Sequence, residues 1–554
     1  MSASSKKKLR KEQNAAAMTE RQKKEQKEAK KLARMTIAFV LAMCILVLAA
    51  VGVLLRDPVN TLINRNTVAI TIGDHQIGAV EFNYYYCDAV NDFCSNLEDT
   101  YGEQAILYAQ WFYGIDFSRP LNKQDYGNGQ TWGDYFVSVA KQNAVSMYAL
   151  YLKAQADPDY KISEDAQADI DITQQSLDMA AAALNYKNAD AYLKSMYGPG
   201  AAADTYRRYF EMNIIASDYY NAHEDTLKYE ISDFREFEKD KYDNYTCYTY
   251  TSATVGMTHY ITGGTEDETG EKVYSEKEQA DALAAAKKDA DALAAGTYAT
   301  VEDFKNAVKA LELNKEKEVI KPTQSKDTYF QNVSNEDVRT WLSNPERKAG
   351  DVGIIEAKNT TTDADGKETS KVVGYYIVYF EGLRDNTAPM ANVRHLLVKF
   401  KNGTLGDDGE LTYSNESKEA ALKEATDIYE AWKAGEKVDE ESFTALVKEK
   451  SEDTDAGKAN GGLIEDIHPE SNLVQSFKDW SCEKHEPGDT EIIESEYGYH
   501  IMYYVSDDEY SLRDLMIKEE LMAEDMKEWL EELQKAYTVT DVNLKRVYFD
   551  YIPS

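Results

Sequence analysis

Cysteine and histidine are scarce in this chain, at 5 and 7 of its 554 residues. No cysteines form a CxxC pair and no histidine lies in an HExxH motif, so the spacings typical of a metal site are missing. Cys87 and Cys94 lie seven residues apart, too far along one helix to form a disulfide with each other. The sequence leaves open whether Cys247 and Cys482 form a disulfide. We expect neither a bound metal nor any other cofactor.

Basic residues are also in the minority, with 62 Lys and Arg against 98 Asp and Glu and a formal net charge of -36. Such a chain repels the phosphate backbone, and we expect no nucleic-acid partner. The hydrophobic and charged fractions, 43% and 29%, are typical of globular proteins. The length allows three or four domains at about 100 to 200 residues each.

The basic charge is concentrated at the N-terminus. Residues 1–34 form a leader of net charge +8, and the rest of the chain carries -44. Residues 35–55, MTIAFVLAMCILVLAAVGVLL, contain no charge, and about 20 apolar residues suffice to cross a bilayer as a helix. The positive-inside rule places the leader in the cytoplasm. We therefore predict a single-pass anchor in the cell membrane, with the lipid bilayer as a partner of residues 35–55 and an extracellular ectodomain.

Two kinds of processing remain open for this segment. A cleaved signal peptide is one, although its apolar region usually spans about 7 to 15 residues and is shorter than this one. Lipidation is the other, because LAMC at Leu41 to Cys44 is similar to a bacterial lipoprotein box, with Met43 in place of the usual small residue.

The ectodomain is predicted to have an α+β fold. Residues 66–243 are typical of a helical, chaperone-like region that opens with a short hairpin around Gly73 and Asp74. At Tyr245 the pattern changes to β-branched and aromatic residues, which places a domain boundary near residue 243. In the C-terminal segment, 508–554, a helix over Leu512 to Ala536 precedes an extended tail. We expect this segment to pack back on the helical region.

Between these parts the sequence repeats itself. DALAAGTYATVEDFKNAV and EAWKAGEKVDEESFTALV each predict a helix that ends at a glycine, followed eight residues later by a phenylalanine in the next helix. GDVGIIE and GYYIVYF recur in the same order as GDTEIIE and GYHIMYY. Chance similarity of helical segments explains only the first pair. We predict two homologous domains, 244–388 and 389–507, with an exposed loop at KNTTTDADGKETS in the first.

Two histidines in the second repeat lie in predicted strands, His395 in NVRHLLVKF and His500 in SEYGYHIMYY. Between them are an S-x-D motif and a Gly-Gly pair in KSEDTDAGKANGGL. In this order the motifs resemble the parvulin, or PpiC, type of peptidyl-prolyl cis-trans isomerase over residues 390–507.

The resemblance implies a set of site residues. It assigns a histidine pair, an acidic residue two positions after the serine of S-x-D, a hydroxyl that bonds within the pair, and two apolar residues that hold the proline ring. These positions are His395, His500, Asp453, Ser495, Leu473 and Phe477. The chain departs from the family's usual GGDLG at Leu463 and Glu465, which puts the local turn in question.

The implied reaction is rotation about an X-Pro bond, whose barrier of about 18 to 20 kcal/mol comes from amide resonance. A Ser-His-Asp hydrolase with Ser495 as nucleophile is an alternative, but Ser495 precedes a strand and does not lie on a GxSxG elbow. In the first repeat Tyr376 takes the place of His500, so we expect that copy to be catalytically silent.

The whole layout resembles membrane-anchored or secreted foldases of the PrsA and SurA kind. This implies clients that are unfolded or partly folded exported polypeptides containing proline, outside a bacterial cell with one membrane. A catalytically silent holdase chaperone and a cell-surface scaffold protein are the alternative functions.

Overall fold

The computed structural model describes residues 58–553 apart from 240, 267–271, 363–367, 406–409 and 550. The predicted leader and anchor, residues 1–34 and 35–55, lie outside the described residues. No helix within the described ranges is both long and apolar enough to cross a membrane. Helices and strands are mixed, consistent with the predicted α+β class.

The chain forms two compact units. Among the described residues, one unit comprises those up to Leu227 together with those from Glu524 onward, and the other comprises those between Lys228 and Ala523. We call them the helical unit and the strand-rich unit. The last helix, α15 (Leu512–Gln534), begins in the strand-rich unit and ends in the helical unit.

The helical unit contains six numbered helices and a small antiparallel sheet, and residues 58–65 are also helical. The helices are α1 (Ala79–Tyr101), α2 (Ala105–Tyr113), α3 (Trp132–Ala156), α4 (Glu164–Ala183), α5 (Ala189–Tyr197) and α6 (Ala203–Glu224). The strands are β1 (Val68–Ile72), β2 (His75–Gly78), a short hairpin of β3 (Asp125–Gly127) and β4 (Gln130–Thr131), and the C-terminal β17 (Val539–Asp541). The predicted hairpin at Gly73 and Asp74 is confirmed, whereas β3 and β4 interrupt a region predicted to be helical.

Segments near both ends of the described part of the chain contribute to the helical unit. β17 pairs antiparallel with β1 in a sheet of order β17-β1-β2. The buried side chain of Asn83 on α1 donates to the carbonyl of Arg546 and accepts from the backbone N–H of Tyr548. The tail predicted to be extended is a strand only over Val539–Asp541, because a 3-10 turn follows at Leu544–Arg546.

The strand-rich unit opens with α7 (Ile231–Phe237) and then contains two four-stranded sheets. The first sheet module, residues 247–384, consists of β5 (Cys247–Gly256), the short β6 (Thr265–Glu266) and β7 (Lys272–Val273), α8 (Glu276–Ala294), α9 (Val301–Lys309), β8 (Thr323–Tyr329), α10 (Glu336–Leu342), β9 (Val352–Thr362) and β10 (Glu368–Arg384).

The second sheet module, residues 389–511, has the same succession of elements with one additional short helix (Asp455–Ala459) before its second main strand. They are β11 (Pro389–Lys399), the short β12 (Thr404–Leu405) and β13 (Leu411–Thr412), α11 (Asn415–Lys433), α12 (Glu440–Lys450), α13 (Asp455–Ala459), β14 (Leu463–Ile467), α14 (Gln475–Ser481), β15 (Thr490–Glu494) and β16 (Gly498–Ser511).

The two modules share one strand topology. Their sheets run β8-β5-β10-β9 and β14-β11-β16-β15, so in each the second, first, fourth and third main strands lie side by side. In each module the first long helix, α8 or α11, ends at an alanine C-cap, and the next residue is the predicted glycine, Gly296 or Gly435. Phe304 and Phe443 are then fully buried on the next helix. The predicted helix, glycine, helix pattern is therefore confirmed in both modules.

The prediction of an exposed loop at KNTTTDADGKETS is wrong for most of its length. Residues 358–362 continue β9 and residues 368–370 begin β10, with Lys371 paired to Asn359. The threonines of this segment are β-branched and fit an exposed two-stranded ribbon, although they lack the apolar alternation expected of a strand.

The four cysteines that the structure describes, Cys87, Cys94, Cys247 and Cys482, are all free thiols. Cys247 and Cys482 are thus not joined, which closes the question that the sequence left open. Across the same part of the chain, His, Cys, Asp and Glu side chains form no group of three or more that could hold a metal ion.

Candidate active site

The two histidines of the second sheet module lie on neighbouring antiparallel strands. Leu397 pairs with His500, and His395 pairs with Met502. Opposed residues of an antiparallel pair share a face of the sheet, as do alternate residues of one strand, so His395 and His500 are diagonal neighbours on one face. Both side chains are buried, and their Nδ1 atoms lie 3.1 Å apart.

Hydrogen bonding assigns the protons in this network. Of two Nδ1 atoms in contact, one must donate and the other accept. Asp453 Oδ2 lies 3.4 Å from His395 Nε2, and Ser495 Oγ lies 2.8 Å from His500 Nε2. A proton on His395 Nε2 faces the carboxylate and leaves Nδ1 to accept from His500. The Ser495 hydroxyl then donates to His500 Nε2, so every ring nitrogen of the pair has a hydrogen-bond partner.

The surroundings fix the charge at each end of this network. Burial lowers the pKa of His500, and the neighbouring His395 lowers that pKa further, to about 3. Hydrogen bonding to His395 lowers the pKa of Asp453 to about 2 despite partial burial of the carboxyl group. At neutral pH the site therefore holds an ionised carboxylate at one end and a neutral imidazole at the other.

An apolar floor lies against the histidines. Phe477, on α14, is buried and meets both rings edge-on, with centroid distances of 5.2 Å to His395 and 5.5 Å to His500. Leu473, half-buried just before α14, packs on the same apolar cluster. The structure thus brings all six residues predicted from the sequence into one module, with the polar four in a chain of contacts and the apolar two on one cluster.

Ser451 is a further residue of the candidate site, to which sequence reasoning assigned no role. It is buried, and its Oγ accepts from the backbone N–H groups of Leu397 and Asp453. Glu452 strengthens the same junction, because its N–H donates to the Leu397 carbonyl and its carboxylate accepts from the Lys399 N–H. The segment bearing Asp453 is thereby fixed to the strand bearing His395. The spacing of S-x-D was the signal that could have identified this role.

The turn that departs from the family pattern is nonetheless formed. Gly461 and Gly462 both have left-handed φ values, 70° and 72°, and the Gly462 carbonyl accepts from the His395 N–H. A Cβ at Gly462 would lie 2.2 Å from the His395 carbonyl oxygen. This close approach requires glycine, whereas the next residue, Leu463, begins β14 and pairs with Arg394.

The geometry differs from that of a Ser-His-Asp hydrolase. Ser495 contacts His500, but the other ring nitrogen of His500 faces His395, and Asp453 contacts only the far side of His395. Ser495 Oγ is also buried and accepts from the Tyr497 N–H. A hydrolytic triad needs the acid on the histidine that activates the nucleophile, so this arrangement does not support the hydrolase alternative.

A family model decides the identity of this module. The model described as "Rotamase: PPIC-type PPIASE domain" matches residues 395–506. These residues are a PPIC-type peptidyl-prolyl isomerase domain. The predicted resemblance is confirmed, and the chain carries a peptidyl-prolyl cis-trans isomerase domain of the parvulin type.

Solved structures of similar proteins include other isomerases and chaperones. PrsA from Bacillus cereus is 25% identical over 27% of this chain and 50% of that chain, with a TM-score of 0.17. A SurA-like chaperone from Campylobacter jejuni is 20% identical over 27% of this chain and 53% of that one, with a TM-score of 0.16.

PrsA from Bacillus subtilis is 13% identical over 76% of this chain and 92% of its own, with a TM-score of 0.20. This chain thus spans about half the length of the Bacillus cereus protein to which it is similar. No curated protein sequence matches the chain.

The first sheet module has different residues at the positions that correspond to His395, His500 and Ser495. Gly374 pairs with Gly256 as Gly498 pairs with Lys399. Counting along these strands places Tyr376 at the position of His500 and Ser252 at that of His395. Ala357, which follows Glu356 opposite Tyr375, takes the position of Ser495.

Proposed function

We propose that this protein is an extracytoplasmic foldase, anchored in the cell membrane, that isomerises X-Pro bonds in exported unfolded polypeptides. The histidine pair of the isomerase domain, bonded to Ser495, contacted by Asp453 and lying on Phe477, is the observation that carries the proposal. We further infer that the first sheet module is catalytically silent, because Ser252 and Tyr376 cannot reproduce the histidine pair.

The proposed mechanism breaks no covalent bond. The barrier of about 18 to 20 kcal/mol reflects the resonance of the planar amide, which is lost as the X-Pro bond twists. Leu473 and Phe477 hold the proline ring in an apolar site. Burial in this apolar site costs the twisted amide less free energy than the planar amide, because the twisted form is less polar. The network from Asp453 to Ser495 provides a fixed, preorganised field beside the twisting bond, so catalysis is differential binding of the twisted state.

Client binding is assigned to the helical unit. Helix α2 buries only Ala105 and Ala109, whereas Trp111 and Phe112 are each 67% exposed. Tyr108 stacks on Phe112 and on Tyr101 with centroid distances of 5.5 and 4.6 Å. An exposed aromatic patch of this kind is typical of a protein-binding surface. It also supports the second candidate function, a holdase that binds clients without catalysis.

The test of the proposal is isomerisation of a proline-containing peptide by the full chain. We expect the wild-type protein to accelerate cis-trans exchange and to speed proline-limited refolding of an unfolded protein. A folded protein that suppresses aggregation but leaves the exchange rate unchanged would instead establish the holdase. Refolding assays at matched concentrations separate the two, since only an isomerase shortens the slow proline phase.

The membrane placement is tested separately. A leader of net charge +8 before an uncharged segment of 21 residues predicts that residues 1–34 stay inside the cell. Protease added to wall-stripped intact cells should degrade the chain after about residue 57 and leave the leader protected. Protection of the acidic ectodomain would reverse the proposed orientation.

A further inference from the structure

Glu470 of the isomerase domain contacts the first sheet module directly. Its Oε1 accepts from Arg384 Nη2 at 2.6 Å and from the Tyr329 hydroxyl at 2.7 Å, and both donors belong to the first sheet module. The Cys247 thiol of the same module lies 3.9 Å from this oxygen. Charge-assisted hydrogen bonds are roughly twice as strong as neutral ones. The first sheet module therefore fixes the position of Glu470 in the isomerase domain.

Glu470 belongs to the loop that leads into the proline pocket. The loop joins β14 to α14, and Leu473 lies three residues after Glu470. His468 Nδ1 accepts from the Glu470 N–H, and Ser471 Oγ accepts from the His468 N–H. The Leu473 N–H then donates to the Ser471 carbonyl at 2.8 Å. A displacement of Glu470 is thus transmitted by short-range hydrogen bonds to Leu473.

Arg384 is itself fixed in place. Arg384 Nη1 donates to Asn386 Oδ1, and the buried Asn386 donates through Nδ2 to the Tyr245 carbonyl at 2.8 Å. Arg384 is only 22% exposed, against 37% for Glu470. Burial raises the pKa of Glu470, but hydrogen bonds from Arg384 and Tyr329 outweigh this and lower it overall. The carboxylate is therefore ionised at neutral pH, and the ion pair is in its strong form.

We infer that Arg384 and Tyr329 are positioning residues for proline binding, through which the first sheet module holds the Leu473 loop of the isomerase domain in its binding geometry. Neither residue touches the histidine network, so their contribution is to substrate affinity and not to the twisting step. The inference rests on the proposed role of Leu473 in binding the proline ring. It gives the silent module a function in the reaction of its neighbour.

The test compares variants of the full chain in a peptide isomerisation assay that yields kcat and KM separately. Arg384→Met removes the ion pair with little change in length, and we expect KM to rise about three- to ten-fold while kcat stays within about two-fold. Tyr329→Phe removes one neutral donor and should raise KM less. Arg384→Lys restores the positive charge and should recover part of the affinity.

The matched control is Arg347→Met. Arg347 is also a partly buried arginine of the first sheet module, but it pairs with Asp351 and stacks on Trp341 within that module. It should leave KM unchanged. If Arg384→Met fails to fold, Glu470→Gln takes its place, because it keeps an acceptor for Tyr329 and removes the charge. Unchanged KM in a folded Arg384→Met or Glu470→Gln protein overturns the inference, as does an equal effect of Arg347→Met. An inactive wild-type protein refutes the proposed isomerase function itself.

Discussion

His500 has two neighbours that a surface histidine lacks, a second imidazole at 3.1 Å and a buried serine hydroxyl at 2.8 Å. Removal of either end of this network should leave the remaining polar groups buried without partners and disturb the field at the twisting bond. We predict that His500→Ala or Asp453→Ala lowers the isomerisation rate by about ten- to a hundred-fold, which is about 1.4 to 2.7 kcal/mol in activation free energy. A peptide exchange assay on the full chain measures this loss.

Tyr376→Phe is the control for that prediction, because Tyr376 has the position of His500 in the first sheet module. It should leave the rate unchanged. A large loss in the Tyr376 variant, or full activity in the His500→Ala protein, would contradict the assignment of catalysis to the second module alone.

The protonation state of His500 provides a second test. Its pKa of about 3 in the folded protein lies well below the ordinary value of 6.5, because burial and the adjacent His395 disfavour the charged ring. We predict that nitrogen NMR shows this ring neutral at pH 5 in the native protein. In denaturant the same ring should titrate near its ordinary pKa.

The same shift determines how stability depends on pH. Below pH 6.5 the unfolded chain binds a proton that the folded chain refuses, so this contribution to stability is lost as the pH falls from about 6.5 toward 3. If His500 in the native protein is half protonated near pH 6.5, its ring is not buried in the way the structure shows.

The resemblance to the parvulin family named six candidate site residues, and the structure brings all six into one module. Sequence motifs could not predict the Nδ1 to Nδ1 contact, which depends on the diagonal register of β11 and β16 and on irregular pairing between Asn392 and Val393. Ser451 was missed for a related reason. The S-x-D spacing marks the residue, but its Oγ accepts hydrogen bonds from the N–H groups of Leu397 and Asp453 only in the folded chain.

Helix α2 allows a prediction at the scale of an element. Its aromatic side chains are exposed, so replacing them should change binding to clients and not the core. We predict that Trp111→Ser with Phe112→Ser weakens suppression of aggregation of an unfolded protein by several-fold, while isomerisation of a short peptide stays unchanged. Light scattering of the aggregating client and the peptide assay measure the two effects.

Gln110→Ser on the same exposed helix is the matched control and should change neither activity. Equal aggregation suppression by wild-type protein and the Trp111 and Phe112 double variant would remove α2 from the client-binding surface.

Elements were predictable where glycines or strong apolar patterns mark their ends. The helix, glycine, helix pattern located α8, α9, α11 and α12 in the two modules. The polar ribbon at the end of β9 was not predictable in this way, since neither face of an exposed two-stranded ribbon needs apolar residues. The hairpin of β3 and β4 was missed because its strands have only three and two residues.

At the scale of the molecule, two features describe how the chain is arranged. One is the recurrence of a single sheet topology, in which one copy has the histidine pair and the other has Ser252 and Tyr376. The other is the return of the C-terminus to the helical unit, where β17 completes a sheet with β1 and β2. The sequence predicted a returning segment from residue 508, whereas the compact helical unit resumes at Glu524, within α15. Boundaries inside a continuous helix leave no glycine or proline in the sequence to mark them.

The returning tail provides the last prediction. Tyr551 is 2% exposed in the core of the helical unit and donates to Asn91 on α1, whereas its neighbour Ile552 is 62% exposed. Truncation of a buried aromatic residue costs about 3 to 5 kcal/mol of stability, and a unit of roughly 200 residues loses about 2 to 4 °C for each kcal/mol. We therefore expect Tyr551→Ala to lower the melting temperature of the helical unit by roughly 6 to 20 °C in thermal unfolding of the full chain. Ile552→Ala also truncates a large apolar side chain, one residue away but exposed, and should shift the melting temperature by less than about 2 °C. Equal melting of the two variants would mean that the tail does not contribute to the core of this unit.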